Sequence, residues 1–423
     1  MRTLERARLG DVVKVISGFA FKSSEFSDEG IPVVKIANIR TGFLTLEGAQ
    51  KVSPDYLRKL GDKYRVECGD VLISLTGSHV TQPNSVVGRV ARASKSFPAS
   101  LLNQRAGKVI LTAKDRCDLG FLYYYLTLAS LRGDIAAMAS GAASQANVSP
   151  TQVESLSIEL PKLDEQIRIA SVLSAYDDLI ENNTRRIEIL EEMARRLYEE
   201  WFVQFRFPGH EGVGLKQSDL GLIPEGWEVV VLEKAIEINP RTKVEREGEK
   251  VFVPMGALSA TGMVISGCEI KSGNSGAKFQ NGDILVARIS PCVENGKTGF
   301  VDFLPVDQPT ACGSTEFIVM RSRSLCPEMV YCLARSERFR DVAIKSMSGA
   351  TGRQRVRVES LVDFIIVQPD VETIFRYHAF AQPCFKKIRV LANKNANLRT
   401  QRDLLLPKLI SGEIDVSDIP MPT

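Results

Sequence analysis

Two stretches of the chain place apolar residues at alternating steps of three and four. Residues 164–204 contain neither Gly nor Pro, and Leu173, Ile180, Ile187, Ala194 and Trp201 recur there every seven positions. Ile169, Tyr176, Asn183, Leu190 and Leu197 form a second row of sevens. This is the a/d pattern of a coiled-coil seam. After Pro369 the pattern returns, with Ile388, Asn395, Arg402 and Leu409 in one row and Cys384, Leu391, Leu398 and Leu405 in the other. Pro383 predicts a kink or a late start in the second helix. A helix of about forty residues is roughly 60 Å long. Two such helices do not fit the core of one small domain, so they are predicted to pair with each other, antiparallel. Asn183 and Asn395 fall inside the seams, where an amide is either a solvated position or a buried contact that fixes register.

The helices are the constant parts of a longer repetition. An offset of 208 positions (349 less 141) places Gly141 on Gly349, Val148 on Val356, Pro161 on Pro369, Leu190 on Leu398 and Leu197 on Leu405. Upstream the register drifts, yet "GDVLISLTG" (69–77) still answers "GDILVARIS" (282–290). Ahead of each helix lie short apolar runs such as "DVVKVISG", "GKVILTA", "VFVPMGAL" and "TEFIVMRS", which read as strands, and one helical pattern each, over 120–140 and 327–349. The fold class is α+β: two α+β domains in a pseudo-two-fold arrangement, separated by two long antiparallel coiled-coil helices. The expected boundaries are a first domain at 1–160, a long helix at 161–205 and a Gly/Pro-rich linker at 206–226. A second domain at 227–370, a second long helix at 371–412 and a tail at 413–423 follow.

Both helical patterns run into a polar stretch, "SGAASQANV" (140–148) and "MSGATGRQRV" (347–356). Glycines and small hydroxyls allow close backbone approach to a partner. Arg353, Gln354, Arg355 and Arg357 offer donors suited to phosphate oxygens and base edges, whereas Ser144, Gln145 and Asn147 at the matching place are polar and uncharged. A second pair of loops follows the Gly-Asp strands. Ser78, His79, Gln82 and Asn84 in one copy answer Asn295 and Lys297 in the other, with Arg288 on the strand that leads in. One position with two different sets of hydrogen-bonding side chains is what two readers of two different DNA sequences require. Solvated surface loops are the plain alternative.

Composition adds exclusions. The chain has 423 residues, a net charge of +3, 44% hydrophobic and 25% charged residues. Nucleic-acid contact must therefore come from local basic patches. No apolar run reaches membrane-spanning length and the N-terminus lacks a signal-peptide core, so a cytoplasmic protein is expected. Eight cysteines without C-x-x-C spacing and only three histidines argue against a zinc site or a disulfide scaffold. "ENGKT" (294–298) fails as a phosphate loop because Pro291 stands where its first Gly should be. "PDVET" (369–373) lacks the Glu-x-Lys of a metal-dependent nuclease. No catalytic residue and no metal ligand is assigned.

Four segments carry a family resemblance: "LPKLDEQIRIASVL" (160–173), "LYEEWFVQFRFPG" (197–209), "LGLIPEGWEV" (220–229) and "LRTQRDLLLPKLISGEI" (398–414). With these the chain resembles the DNA-specificity (S) subunit of type I restriction–modification enzymes. The second helix departs from the pattern, since "QPDVETIFRY" lacks the Glu-Gln pair at 165–166. The resemblance implies two target-recognition domains that read a bipartite, asymmetric site in double-stranded DNA. It implies helices that act as a ruler and dock two methyltransferase (M) subunits, joined by two restriction (R) subunits where the system has them. Trp201, Phe202 and Phe205 are the candidates for that docking, or else core. The subunit would be non-catalytic and hold no cofactor, with S-adenosylmethionine, ATP and Mg on its partners. The rival reading is a coiled-coil scaffold whose β-rich domains bind protein or peptide.

Overall fold

The structure is a computed structural model of the 423-residue chain. It describes residues 4–77, 87–142, 145–350 and 352–421, without the side chains of residues 141, 142 and 145. The chain divides into two compact units, residues 1–181 with 397–423 (unit 1) and residues 182–396 (unit 2), and the division falls inside both long helices.

Unit 1 holds a six-stranded sheet in the order Val13–Ser17, Ala106–Leu111, Val71–Ser74, Val90–Arg92, Gly42–Leu44, Ile39–Arg40. A five-stranded sheet contains Ile31–Val34 and Ser100–Leu102. Unit 2 repeats the central motif, with Ile284–Ala287 antiparallel to both Phe317–Ser322 and Thr298–Phe300. Val71–Ser74 and Ile284–Ala287 are buried at every position. That is why "VLIS" and "ILVA" read as unbroken small or apolar runs rather than as alternations. In each unit an early strand pairs antiparallel with the strand that precedes a long helix: Glu5–Arg8 with Ser157–Leu160, and Glu228–Val231 with Ile365–Gln368.

Each of the two helical patterns resolves into two helices. Leu119–Leu126 and Ala129–Met138 replace a single helix over 120–140, and Pro327–Arg335 and Glu337–Lys345 replace one over 327–349. The second break has a local cause: Ser336 is extended (φ −64°, ψ 147°) and its hydroxyl accepts the Phe339 amide at 3.3 Å. A serine that caps the next turn ends the previous one. Asp118 caps the first helix of unit 1, accepting the Phe121 amide at 2.8 Å.

The first long helix is Leu163–Tyr198, closed by a π-turn at Glu199–Val203. Gln166, fully buried, fastens its start: Oε1 accepts the Asp118 amide at 2.9 Å and Nε2 donates to the Arg116 and Pro161 carbonyls. The second long helix, Val371–Ser411, begins without delay and continues through Pro383. The expected late start is therefore corrected. Pro383 and Ala379, the residue whose carbonyl loses its partner, both lie on the exposed face, where water can serve that carbonyl.

The seam follows the heptads and is antiparallel within each unit. In unit 1, Ile169 and Leu173 share a core with Leu409, Ile410 and Val416. Arg402, a charge in an apolar row, is bound by Asp177, which also accepts Tyr124 Oη at 2.6 Å and Arg92 Nη2 at 3.3 Å. In unit 2, Tyr377 Oη donates to the Ala194 carbonyl at 3.1 Å. Asn183 Nδ2 donates to Asn395 Oδ1 at 3.0 Å, and Asn395 Nδ2 to Thr184 Oγ1 at 3.2 Å. The two asparagines are 9% and 2% exposed, so they form a buried amide pair rather than a solvated defect. Asn183→Ala removes one amide from this pair and is expected to lower stability by about 1–3 kcal/mol. The loss is read as a lower denaturant midpoint. Replacing both asparagines with Leu is expected to recover most of it, because no buried polar group then lacks a partner.

Candidate nucleic-acid interface

The two polar stretches singled out in each half of the sequence meet at one sheet edge. In unit 1, Thr76 pairs with Asn147, and Asn147 with Ser140 on its other side. In unit 2, Ile289 pairs with Arg355, and Arg355 with Ser348. These are the same positions in the repeat: 355 less 147 is 208, 348 less 140 is 208, and 289 less 76 is 213, the offset of the Gly-Asp strands. The backbone bonds repeat as well. The Val148 amide donates to the Leu75 carbonyl at 2.9 Å, and the Val356 amide to the Arg288 carbonyl at 2.8 Å. Gly349 (φ +124°) and Gly352 (φ +81°) turn the chain between Ser348 and Arg355 in conformations that side chains disfavour.

Ser78, His79, Gln82, Asn84 and Ser144 lie outside the described residues, and so does the side chain of Gln145. Asn147 is exposed, and its Oδ1 accepts Thr76 Oγ1 at 2.8 Å. In unit 2, Arg353, Gln354, Arg355 and Arg357 are all exposed. Arg355 grips Glu316 in a fork, with Nη2 to Oε1 at 2.7 Å and Nε to Oε2 at 2.9 Å. Arg288 Nε lies 3.7 Å from the same carboxylate. The hydrogen bond from Arg355, against a smaller cost of burial, holds the Glu316 carboxyl below its ordinary range. The turn that carries Asn295 and Lys297 adjoins this edge, since the Ser290 amide donates to the Gln354 carbonyl at 3.0 Å. Asn295 is exposed, whereas Lys297 is half-buried and its Nζ turns to the Met255 carbonyl at 3.4 Å.

Sequence reasoning singled out Arg288 but missed the cations grouped with it, and a second group in unit 1. An open groove in unit 2 is lined by Arg241, Lys243, Lys278 and Arg288, together with Thr242 and Thr315, and by no carboxylate among the described residues. Asn239 anchors its rim on the strand Phe317–Ser322, with Oδ1 accepting the Val319 amide at 3.0 Å. The cluster "NPRTK" (239–243) was a visible signal, but Lys278, on a strand of another sheet, and Arg288 join it only in the folded unit. In unit 1, Arg89 sits beside Arg132 and Arg40. Desolvation first, and then the two like charges, pull the Arg89 pKa down. Such concentrations of positive charge suit a polyanion.

Trp201, Phe202 and Phe205 turn into unit 2. Phe202 is 7% exposed and packs on Trp227 (5.9 Å between ring centroids) and Tyr377 (5.2 Å). Phe205 meets Trp227 edge-on at 5.6 Å. Trp227, from the Pro-Glu-Gly-Trp turn, stacks on Phe207 and donates Nε1 to Asp370 at 2.9 Å. The apolar side chains left in water are others, among them Ile189 and Met193 on the first long helix and Val371 and Phe375 on the second, each pair four positions apart. Cys326, Glu328 and His378 bring metal-type donor atoms within 4.8 Å of one another. However, His378 Nδ1 and Glu328 Oε2 are 2.8 Å apart, which is a hydrogen bond. Two ligands on one tetrahedral zinc stand about 3.4 Å apart.

Comparison with known proteins places this geometry. A family model described as "Type I restriction modification DNA specificity domain" matches residues 1–192. The chain is 27% identical over 376 residues to the type I restriction enzyme MjaIX specificity subunit of Methanocaldococcus jannaschii, covering 86% of this chain and 83% of that protein. It is 22% identical to the MjaVIII specificity subunit of the same organism, over 98% and 94% of the two chains. Among solved structures, the type I restriction–modification S subunit from M. genitalium shares the fold. Its TM-score is 0.54 at 14% identity, over 96% of both chains.

The aromatic packing gives a direct test. Phe202→Ala is expected to destabilise the protein by about 3–5 kcal/mol, whereas the neighbouring exposed Val203 can become Ala within about 0.5 kcal/mol. Chemical denaturation of the two variants measures the difference.

Proposed function

The chain belongs to the type I restriction–modification DNA-specificity family as its non-catalytic specificity subunit, and from that premise we propose that each unit reads one half of a bipartite, asymmetric target in double-stranded DNA. In this reading residues 1–160 and 227–370 are the two target-recognition domains. The helical segments 161–205 and 371–412 set the spacing of the half-sites. Each recognition edge faces a major groove, and its exposed side chains select bases. The flanking cations (Arg241, Lys243 and Lys278 in unit 2; Arg40, Arg89 and Arg132 in unit 1) hold phosphates, which supply affinity but no sequence information.

The observation that carries this reading is the duplicated edge with unlike side chains at matched positions, Asn147 against Arg355. A structural loop would have no reason to keep the backbone pairing and change the chemistry. Two readers of two different sequences require that combination.

Subunits of this family work in a complex with modification and restriction subunits that binds DNA. They carry no cofactor, and S-adenosylmethionine, ATP and Mg are used by those partners. We place two methyltransferase subunits on the long helices, where Ile189, Met193, Val371 and Phe375 offer apolar surface, with two restriction subunits where the system has them. Among the described residues no helix is long and apolar enough to cross a membrane, and action on DNA in the cytoplasm fits this reading.

Exchanging residues 140–148 for those of a relative is expected to change the modified sequence in one half-site and leave the other intact. Sequencing methylated DNA from cells that express the chain with its methyltransferase would show this, and a change in both halves would contradict it. The double substitution Lys243→Ala, Lys278→Ala is expected to weaken binding alike on all sequences. The slope of log affinity against log salt should become shallower by about one unit per cation that touches a phosphate. Binding that did not depend on salt would favour a protein or peptide partner instead.

A further inference from the structure

We propose that positions 147 and 355 are the matched base readers of the two units, that Asn147 reads an adenine and Arg355 a guanine, and that Thr76 and Glu316 are their positioning residues. The inference rests on the DNA reading above and adds to it the bases and the atoms.

The two positions share one backbone environment. Each lies in the middle of a three-stranded pairing, Thr76–Asn147–Ser140 and Ile289–Arg355–Ser348. Each precedes a buried valine, Val148 or Val356, at 3% exposure, and in unit 1 the preceding Ala146 is fully buried too. Alternation along a strand then turns residues 147 and 355 away from the core, and both are exposed. The register cannot slip without pulling the valine out of the core.

A neighbouring side chain holds each reader and leaves its reading atoms available. Asn147 Oδ1 accepts one hydrogen bond, from Thr76 Oγ1 at 2.8 Å. A carbonyl oxygen accepts two, so the amide keeps one acceptor site and its Nδ2 donors. Adenine offers an N6 donor and an N7 acceptor in the major groove, the complement of that pair. Arg355 gives Nε–H and one Nη2–H to Glu316, at 2.7–3.1 Å. Of the five guanidinium N–H groups, the two on Nη1 and the second on Nη2 remain. They form the end-on fork that matches guanine O6 and N7.

Glu316 is itself fixed. Its amide donates to Ser314 Oγ at 3.2 Å, and its carbonyl accepts the Arg288 amide at 3.0 Å. Arg288, 3.7 Å from the same carboxylate, adds a second positive charge beside it, so that the pair does not present a net negative charge to DNA. An arginine already ordered by this carboxylate loses less side-chain freedom on binding than a free one. Swinging out to a phosphate would require it to leave a charge-assisted bond.

The test uses the complete modification complex, the full chain with its methyltransferase subunits, acting on a DNA library randomised across the target, with methylated molecules sequenced. Arg355→Ala is expected to lower the preference for guanine at one position of one half-site by about tenfold or more. Asn147→Ala should do the same for one adenine in the other half. Glu316→Ala should reduce the same guanine preference at unchanged melting temperature, and Glu316→Gln, whose amide oxygen can still accept from Arg355, should restore part of it. Three outcomes overturn the inference. A uniform loss on all sequences from Arg355→Ala, with a shallower salt slope, makes Arg355 a phosphate contact and leaves the DNA reading standing. Relaxation at a base other than guanine or adenine overturns the assignment of the bases alone. A complex of the unaltered chain with no sequence preference overturns the DNA reading as well.

Discussion

In each unit a backbone hydrogen bond from a buried valine, Val148 to the Leu75 carbonyl or Val356 to the Arg288 carbonyl, locks one strand onto the strand that follows Gly-Asp. The exposed chemistry depends on this constraint. With the valine in the core and the ladder closed, the residue before it has one place and one direction. Its identity contributes little to packing, so it is free to be asparagine in one copy and arginine in the other. A duplicated scaffold can therefore carry two specificities without two folds, because the bonds that define the edge involve only main chain and apolar side chains.

The same separation runs through the charges. Arg321 is committed to Asp283, which is 1% exposed, through paired bonds of 2.7 Å, and Arg402 to Asp177. Arg389 is committed to Asp302 at 2.7 Å. These cations hold elements in place. Arg241, Lys243 and Lys278 instead line a groove with no acid among its described lining residues, and the Glu245 carboxylate 3.4 Å from Lys243 is itself exposed. A net charge of +3 over 423 residues conceals this division, because it sums every cation and every acid regardless of where each lies.

The long helices were legible because a seam imposes a strict period over many turns. Ile169, Leu173, Ile180, Asn183 and Ala194 are all buried, as their heptad positions require. The recognition edges were legible as a repetition, although nothing in either stretch alone says that residues 140–148 and the Gly-Asp loop share an edge. The basic groove was not legible, since Lys278, on a strand of one sheet, and Arg288, just after a strand of another, meet residues 239–243 only in the folded unit. Pro383 does not delay the start of the second helix, because its rule is local, whereas packing along the whole helix decides where the helix begins and continues. The fate of Phe202 was undecidable from sequence, because a core and an interface use the same side chains. Trp227 and Tyr377, distant along the chain, settle where it packs.

Unit 1 is built from two separate segments, 1–181 and 397–423: Leu409, Ile410 and Val416 lie in one core with Phe121, Ile158 and Leu173. Unit 2 is a single continuous span, 182–396. On the ribosome, then, residues 1–181 must wait for residues 397–423 before their core can close. They emerge with an apolar surface that this later segment covers, while residues 182–396 lie between and form a unit sooner. During synthesis unit 1 is therefore open to chaperones and proteases for longer than unit 2.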